Sequence, residues 1–321
     1  MMNTDLPVSL KAVDRVEILT LIDNYIDLLL PPSEIITRPP LAKEGNVLDD
    51  TLLAEHGLSL LITVYQGEMK HTILFDTGYT KVGVLHNIEQ LGLNIEEIES
   101  IVISHGHMDH TGSLYGILDK IPGTIPLVVH PGAFEYPRYT RTPDGSMRLF
   151  PRTLIKDELE QKNVELVESK SPTLIADDMI MVTGEVERTT EFEKGMLNAL
   201  IEKDGELVFD PFADDQSIVI KLNGKGLVVI SGCAHGGIIN TIMFAQKTTG
   251  ENNIHAVLGG FHLSGLFFEK IHDKTIAEFK KLDPEVLIPM HCTGWKAIQR
   301  FQKEFPSSFV LNSVGSKVTL S

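Results

Sequence analysis

The chain has 321 residues, 42% hydrophobic and 22% charged, with 28 Lys+Arg against 44 Asp+Glu for a formal net charge of −16. That balance excludes a disordered or fibrous chain and a broad nucleic-acid-binding face, which needs clustered Lys and Arg. Cys233 and Cys292 are too few for a disulfide scaffold, and no apolar run nears the roughly 20 residues of a membrane span. With no basic-then-apolar leader at the start, the expectation is a cytoplasmic protein with no membrane partner.

Short β-branched runs alternate with helical patterns, which predicts an α/β architecture in a single domain over residues 1–321. Val16–Ile22, Leu58–Tyr65 and His71–Phe75 read as strands, and Glu34–Asp50, with Pro39, Pro40 and Gly45, as a surface loop. Lys81–Leu91 reads as a helix with Val84, Leu85, Ile88 and Leu91 on one face and Gly92 ending it. Asn94 with Glu97 resembles a capping box. Ile101–Ser104 is a short strand running into His105. Glu185–Asp215 is rich in carboxylates and reads either as a solvated excursion or as a lid. Ser217–Leu222 and Gly226–Ile230 flank Asn223-Gly224-Lys225, a hairpin signal.

The second of those strands runs into Gly232-Cys233-Ala234-His235. Ala256–Leu258 runs into Gly259-Gly260-Phe261-His262, and Val286–Ile288 into Pro289-Met290-His291. All four His-bearing motifs therefore follow the carboxyl end of a predicted buried strand, where open α/β sheets place their ligands.

The segment Ser104-His105-Gly106-His107-Met108-Asp109-His110-Thr111-Gly112 carries the chemistry. His105 and His107 can point to the same side and hold one metal; Asp109 and His110 turn toward an adjacent position and can hold a second. Imidazole with carboxylate suits Zn, and also Fe or Mn. His262 reads as a substrate-orienting or a structural histidine, and His56 and His130, near strand ends, as residues that can reach substrate. Half of the chain's eight arginines, Arg138, Arg141, Arg148 and Arg152, lie among Tyr139 and Phe150. That stretch reads as a loop that binds a phosphate or a flat ring, or as a solvated loop, with Arg138, Arg141 and Arg148 the candidate contacts.

These motifs resemble the metallo-β-lactamase superfamily along most of the chain. Asp76-Thr77-Gly78 matches the first motif, His105, His107, Asp109 and His110 the second, and His291 the final histidine. The resemblance implies an αβ/βα sandwich with an insertion or lid at 185–215 and two divalent metal ions, Zn foremost. It makes Asp109 both ligand and catalytic orienter, and puts Asp76 behind the ligands. Two positions depart from the pattern. Glu185, in Val182-Thr183-Gly184-Glu185, stands where a His is usual. Cys233 replaces the bridging Asp, with His235 expected to complete the first metal site.

Within the superfamily, Glu55-His56-Gly57-Leu58-Ser59, Ser231–Ile238, Gly259–Leu263 and Pro289–Gly294 look like the subgroup of archaeal 7,8-dihydropterin-6-methyl-4-(β-D-ribofuranosyl)-aminobenzene-5′-phosphate synthase. Hydrolysis is the superfamily default, and the first expectation for this chain is a metal-dependent enzyme that hydrolyses a small phosphorylated or pterin-like metabolite with metal-activated water. The subgroup implies instead a transferase that joins a pterin methyl diphosphate to an arylamine ribosyl phosphate and releases diphosphate. A non-catalytic metal or ligand sensor is the third reading. A small anionic metabolite is the expected partner, nucleic acid is not, and a homo-oligomer is left open.

Overall fold

The computed structural model describes residues 7–321. Two mixed sheets face each other. The first orders Val164–Glu168, Ile125–Val129, Ser100–Val102, Met69–Phe75, Ser59–Gln66, Arg15–Ile22, Lys317–Leu320 and Ile36–Thr37. The second orders Thr173–Ile175, Ile180–Val182, Ser217–Leu222, Gly226–Ser231, Ile254–Gly260 and Val286–Met290, with Ala12–Val13 added parallel to Ser217–Leu222.

Side chains from the two inner faces, among them Ile18, Ile62, Phe75, Ile218, Ile230 and Ile288, form one apolar core. Val84 and Ile88 of helix Gly83–Gln90, with Leu114 and Ile117, cover the outer face of the first sheet. Helices Ile238–Thr249, His272–Leu282 and Trp295–Glu304 cover the second through Ile242, Phe279 and Phe301. Gly226–Ser231 and Ile254–Gly260 are buried on both faces, which explains why they read as unbroken apolar runs rather than alternating ones. The layering is the αβ/βα sandwich expected from the sequence.

Local details differ from expectation. The Asn94 side chain does accept from Glu96 N–H at 3.1 Å and opens the short turn Ile95–Glu97. Glu97 does not return the bond; it pairs with Lys70 at 2.6 Å, so the capping box is half formed. The 34–50 stretch is not wholly irregular, because Ile36–Thr37 pairs with Lys317–Leu320 as an edge strand.

The arginine-rich stretch and the acidic excursion prove to be one structure. Arg138–Arg141 pairs with Met147–Leu149 on one side and with Ala199–Lys203 on the other, and Ala199–Lys203 with Glu206–Phe209, forming a small antiparallel sheet. The excursion is then pinned to helix Ile238–Thr249. Glu193 accepts the N–H groups of Ile239 at 3.0 Å and Asn240 at 2.8 Å, capping a helix start whose own N-cap, Gly237, offers no side chain.

Candidate metal centre

The chemistry-bearing loops leave the carboxyl ends of Met69–Phe75, Ser100–Val102, Gly226–Ser231, Ile254–Gly260 and Val286–Met290, so both sheets contribute. The His105–His110 loop is clamped from beneath. The carbonyl of His110 accepts from Thr77 N–H at 2.7 Å and Thr77 Oγ1 at 3.0 Å, and Gly112 N–H donates to the Gly78 carbonyl at 2.8 Å. A Cβ on Gly112 would lie 1.9 Å from the Tyr79 carbonyl oxygen, so only glycine admits that approach. Asp76, Ala234, His262 and His291 all hold positive φ, between +44° and +61°, so four strained backbone positions lie where the side chains converge.

Hydrogen-bond partners decide which nitrogen of each ring faces inward. Ser104 Oγ donates to Asp76 Oδ2 at 2.7 Å and so accepts the Nδ1–H of His105 at 2.8 Å. Asp76 Oδ2 takes the Nδ1–H of His110 at 2.6 Å, and Asn24 Oδ1 that of His291 at 3.2 Å. All three rings thus turn an Nε2 lone pair to the centre. His107 presents Nδ1, its ring held between Phe150 and Phe212 at centroid distances of 4.8 and 4.7 Å, and His235 presents Nε2.

His107 Nδ1 lies 2.9 Å from His105 Nε2 and 3.2 Å from His235 Nε2. The opposite nitrogens, His107 Nε2 and His235 Nδ1, are buried without a hydrogen-bond partner, and three ring nitrogens converging in one buried space are a donor set that fits a metal. A second group joins Asp109, His110 and His291, with Asp109 Oδ2 3.4 Å from His291 Nε2. Cys233 Sγ stands between, 3.2 Å from His110 Nε2 and 3.4 Å from His291 Nε2. These residues could hold a metal ion, and all are buried.

The electrostatics of the metal-free cluster follow. Burial drives His105 and His235 well below the usual imidazole range and His107 to about 4, leaving them as neutral donors. Burial opposes the charge on His110 too, but Asp76 and Asp109 outweigh it and raise it to about 9. Asp109, despite burial, is held well below the carboxylate range by His110 and His291.

The remaining expected site residues divide. His56 stands at the rim with its side chain 64% exposed and Nε2 3.6 Å from Asp109 Oδ2. The His262 ring lies tilted against that of His235 at a centroid distance of 4.3 Å, and its Nδ1 is buried without a partner. Asp76 is buried behind His110 and Ser104, which it holds by hydrogen bonds. Arg138 needs correction as a substrate contact: it is 4% exposed, and Asp214 holds its guanidinium at 2.7 and 3.0 Å. Its work is structural, because Asp214 also accepts Gly106 N–H at 2.9 Å and so braces the His105–His110 loop. His130 is corrected likewise. It is buried, and its Nδ1 caps the turn Pro131–Phe134 by accepting from Gly132 N–H.

Arg141 and Arg148 are exposed on the small sheet, and among the described residues no hydrogen bond ties either to the histidines. Glu185 is exposed and joins none of the groups that could hold a metal. Sequence reasoning missed Asn24, Ser104, Phe212 and Asp214. Only Ser104, adjacent to His105, carried a local signal.

The family model described as the metallo-beta-lactamase superfamily matches residues 56–180. The chain is 35% identical over 259 residues to the 7,8-dihydropterin-6-methyl-4-(beta-D-ribofuranosyl)-aminobenzene-5′-phosphate synthase of Methanocaldococcus jannaschii, covering 80% of this chain and 87% of that one. It is 33% identical to an uncharacterised protein of the same archaeon, over 82% of this chain and 92% of the relative. A solved structure described as a metal-dependent hydrolase of the beta-lactamase superfamily superposes with a TM-score of 0.69 at 26% identity, covering 95% of this chain and 98% of that one.

Proposed function

The chain belongs to the metallo-β-lactamase superfamily, and we propose that within it this protein is a metal-dependent transferase. It joins an arylamine to a pterin carried as its methyl diphosphate and releases diphosphate. One observation carries the metal dependence: imidazole nitrogens, the Asp109 carboxylate and the Cys233 thiol converge in a buried centre. The choice of transferase is supported by 35% identity across 87% of the synthase.

His105, His107 and His235 would hold one divalent ion and Asp109, His110 and His291 a second, with Cys233 between them. Nitrogen, oxygen and sulfur donors together suit Zn best. When bound, the metals supply positive charge for the anionic leaving group. The buried donors around them keep bulk water from competing with the amine.

At the rim, His56 Nδ1 accepts from the Asn24 amide at 3.1 Å, which leaves Nε2–H as a donor toward a diphosphate oxygen. In the reaction the amine nitrogen bonds to the pterin methylene carbon as the C–O bond to diphosphate breaks. The amine proton passes to solvent.

Hydrolysis, the superfamily default, is the second reading, favoured by the likeness to a metal-dependent hydrolase. The metal-loaded protein, incubated with the dihydropterin methyl diphosphate with and without 4-(β-D-ribofuranosyl)aminobenzene 5′-phosphate, separates the two. Diphosphate release that requires the arylamine and stops on chelation is the expected result. Release without the arylamine establishes the hydrolase, and no turnover in either arm leaves a sensor.

A further inference from the structure

Beside the metal centre, on the flank of His235 and His262, lies a cavity of about 350 Å³. His235, His262 and Gly237 form its inner wall, Phe192 and Phe268 its sides, and Lys194 and Lys270 its mouth. The inner residues are buried or half-buried and the lysines exposed, so the cavity runs from solvent to the metal-facing histidines. Its volume is that of a small-ligand pocket.

Its lining is selective. Phe268 meets the edge of the His262 ring at 4.7 Å, and His262 Nδ1 is buried without a hydrogen-bond partner. Among the described residues neither Lys194 nor Lys270 has an ion-pair partner, in a chain of net charge −16. Aromatic walls, two uncompensated cations at the open end and an unpartnered ring nitrogen at the closed end match a flat amine with an anionic tail. With a diphosphate donor's charge met by the ions that the centre would hold, a second anionic substrate needs cations of its own, at a distance from the centre.

We propose that this cavity is the acceptor subsite, holding an arylamine ring between Phe192 and Phe268. Its amino group faces His262, and its phosphate tail lies between Lys194 and Lys270. The identity of the ligand rests on the transferase reading; the slot and its two cations do not.

Titration of the metal-loaded protein with 4-(β-D-ribofuranosyl)aminobenzene 5′-phosphate and with its dephosphorylated form tests the assignment. Both lysines are exposed, so the Lys194→Ala/Lys270→Ala variant keeps its fold and metal content. It should raise Kd for the phosphorylated probe at least tenfold and leave the dephosphorylated probe unchanged, while Phe192→Ala weakens both. Equal affinity of the lysine variant and the parent for the phosphorylated probe overturns the subsite, as does failure of that probe to bind the parent. Lysine-dependent binding without turnover keeps the subsite and discards the transferase; turnover with an unchanged KM in the lysine variant does the reverse.

Discussion

His291 faces the centre because its surroundings leave it one orientation. Its backbone N–H is held by Asp23 Oδ1 at 2.9 Å and its Nδ1 by Asn24 Oδ1 at 3.2 Å, while the Asn24 amide also reaches His56. Removing a group that fixes the tautomer of a metal-facing imidazole typically costs about 10–100-fold in affinity. Asn24→Ala should therefore weaken metal binding by that factor, as read by competition with a chromogenic chelator. Unchanged affinity would mean that packing alone orients His291. The convergence of the 105–110 loop's donors was legible because their spacing is local. Asn24 was not: it lies 267 residues from His291, and an Asn beyond a strand is commonplace.

At the scale of elements, the small sheet shows what composition alone misjudges. Four clustered arginines in an acidic chain suggested a phosphate grip, yet the strand pairing turns Arg138 inward onto Asp214, with Asp210 at 3.1 Å from its Nε. Truncating one partner of a buried pair strands a charge and costs about 3–5 kcal/mol, whereas exposed positions usually change stability by less than about 0.5 kcal/mol. Urea unfolding should thus show a large loss for Arg138→Ala and almost none for Arg141→Ala or Arg148→Ala. Comparable losses at all three would contradict the buried pairing. The sheet itself was hidden because its central strands, Arg138–Arg141 and Ala199–Lys203, are distant in sequence and neither is a long apolar run.

For the whole molecule, pH sets opposing demands. Burial raises the Glu193 carboxyl to about 7, outweighing the N–H groups of Ile239 and Asn240 that it caps. Between the ordinary value of 4.5 and about 7 the folded protein keeps a proton that the unfolded chain has lost. Glu193 therefore removes stability as pH rises through that window, by up to about 1.4 kcal/mol per unit. His105, His107 and His235 act the other way, since their lowered values favour unfolding as pH falls. The difference between the parent and Glu193→Gln isolates the carboxyl. The parent's stability relative to the variant should fall from pH 4.5 to 7, and a flat difference would show that Glu193 is already ionised.

What the sequence determined by itself was whatever short-range pattern carries. That covers the layered α/β architecture, from runs of strand and helix periodicity, the His105–His110 loop, from donors adjacent in the chain, and the placing of each His motif at a strand's carboxyl end. Only the tertiary structure decided which nitrogen of each ring faces inward and that Cys233 stands between His110 and His291. It alone committed Arg138 to Asp214 and opened an aromatic slot beside His262. Each of those depends on contacts between distant parts of the chain, 123 residues apart for His110 and Cys233. Such contacts are set by how the sheets and their covering layers pack, and no local spacing encodes them.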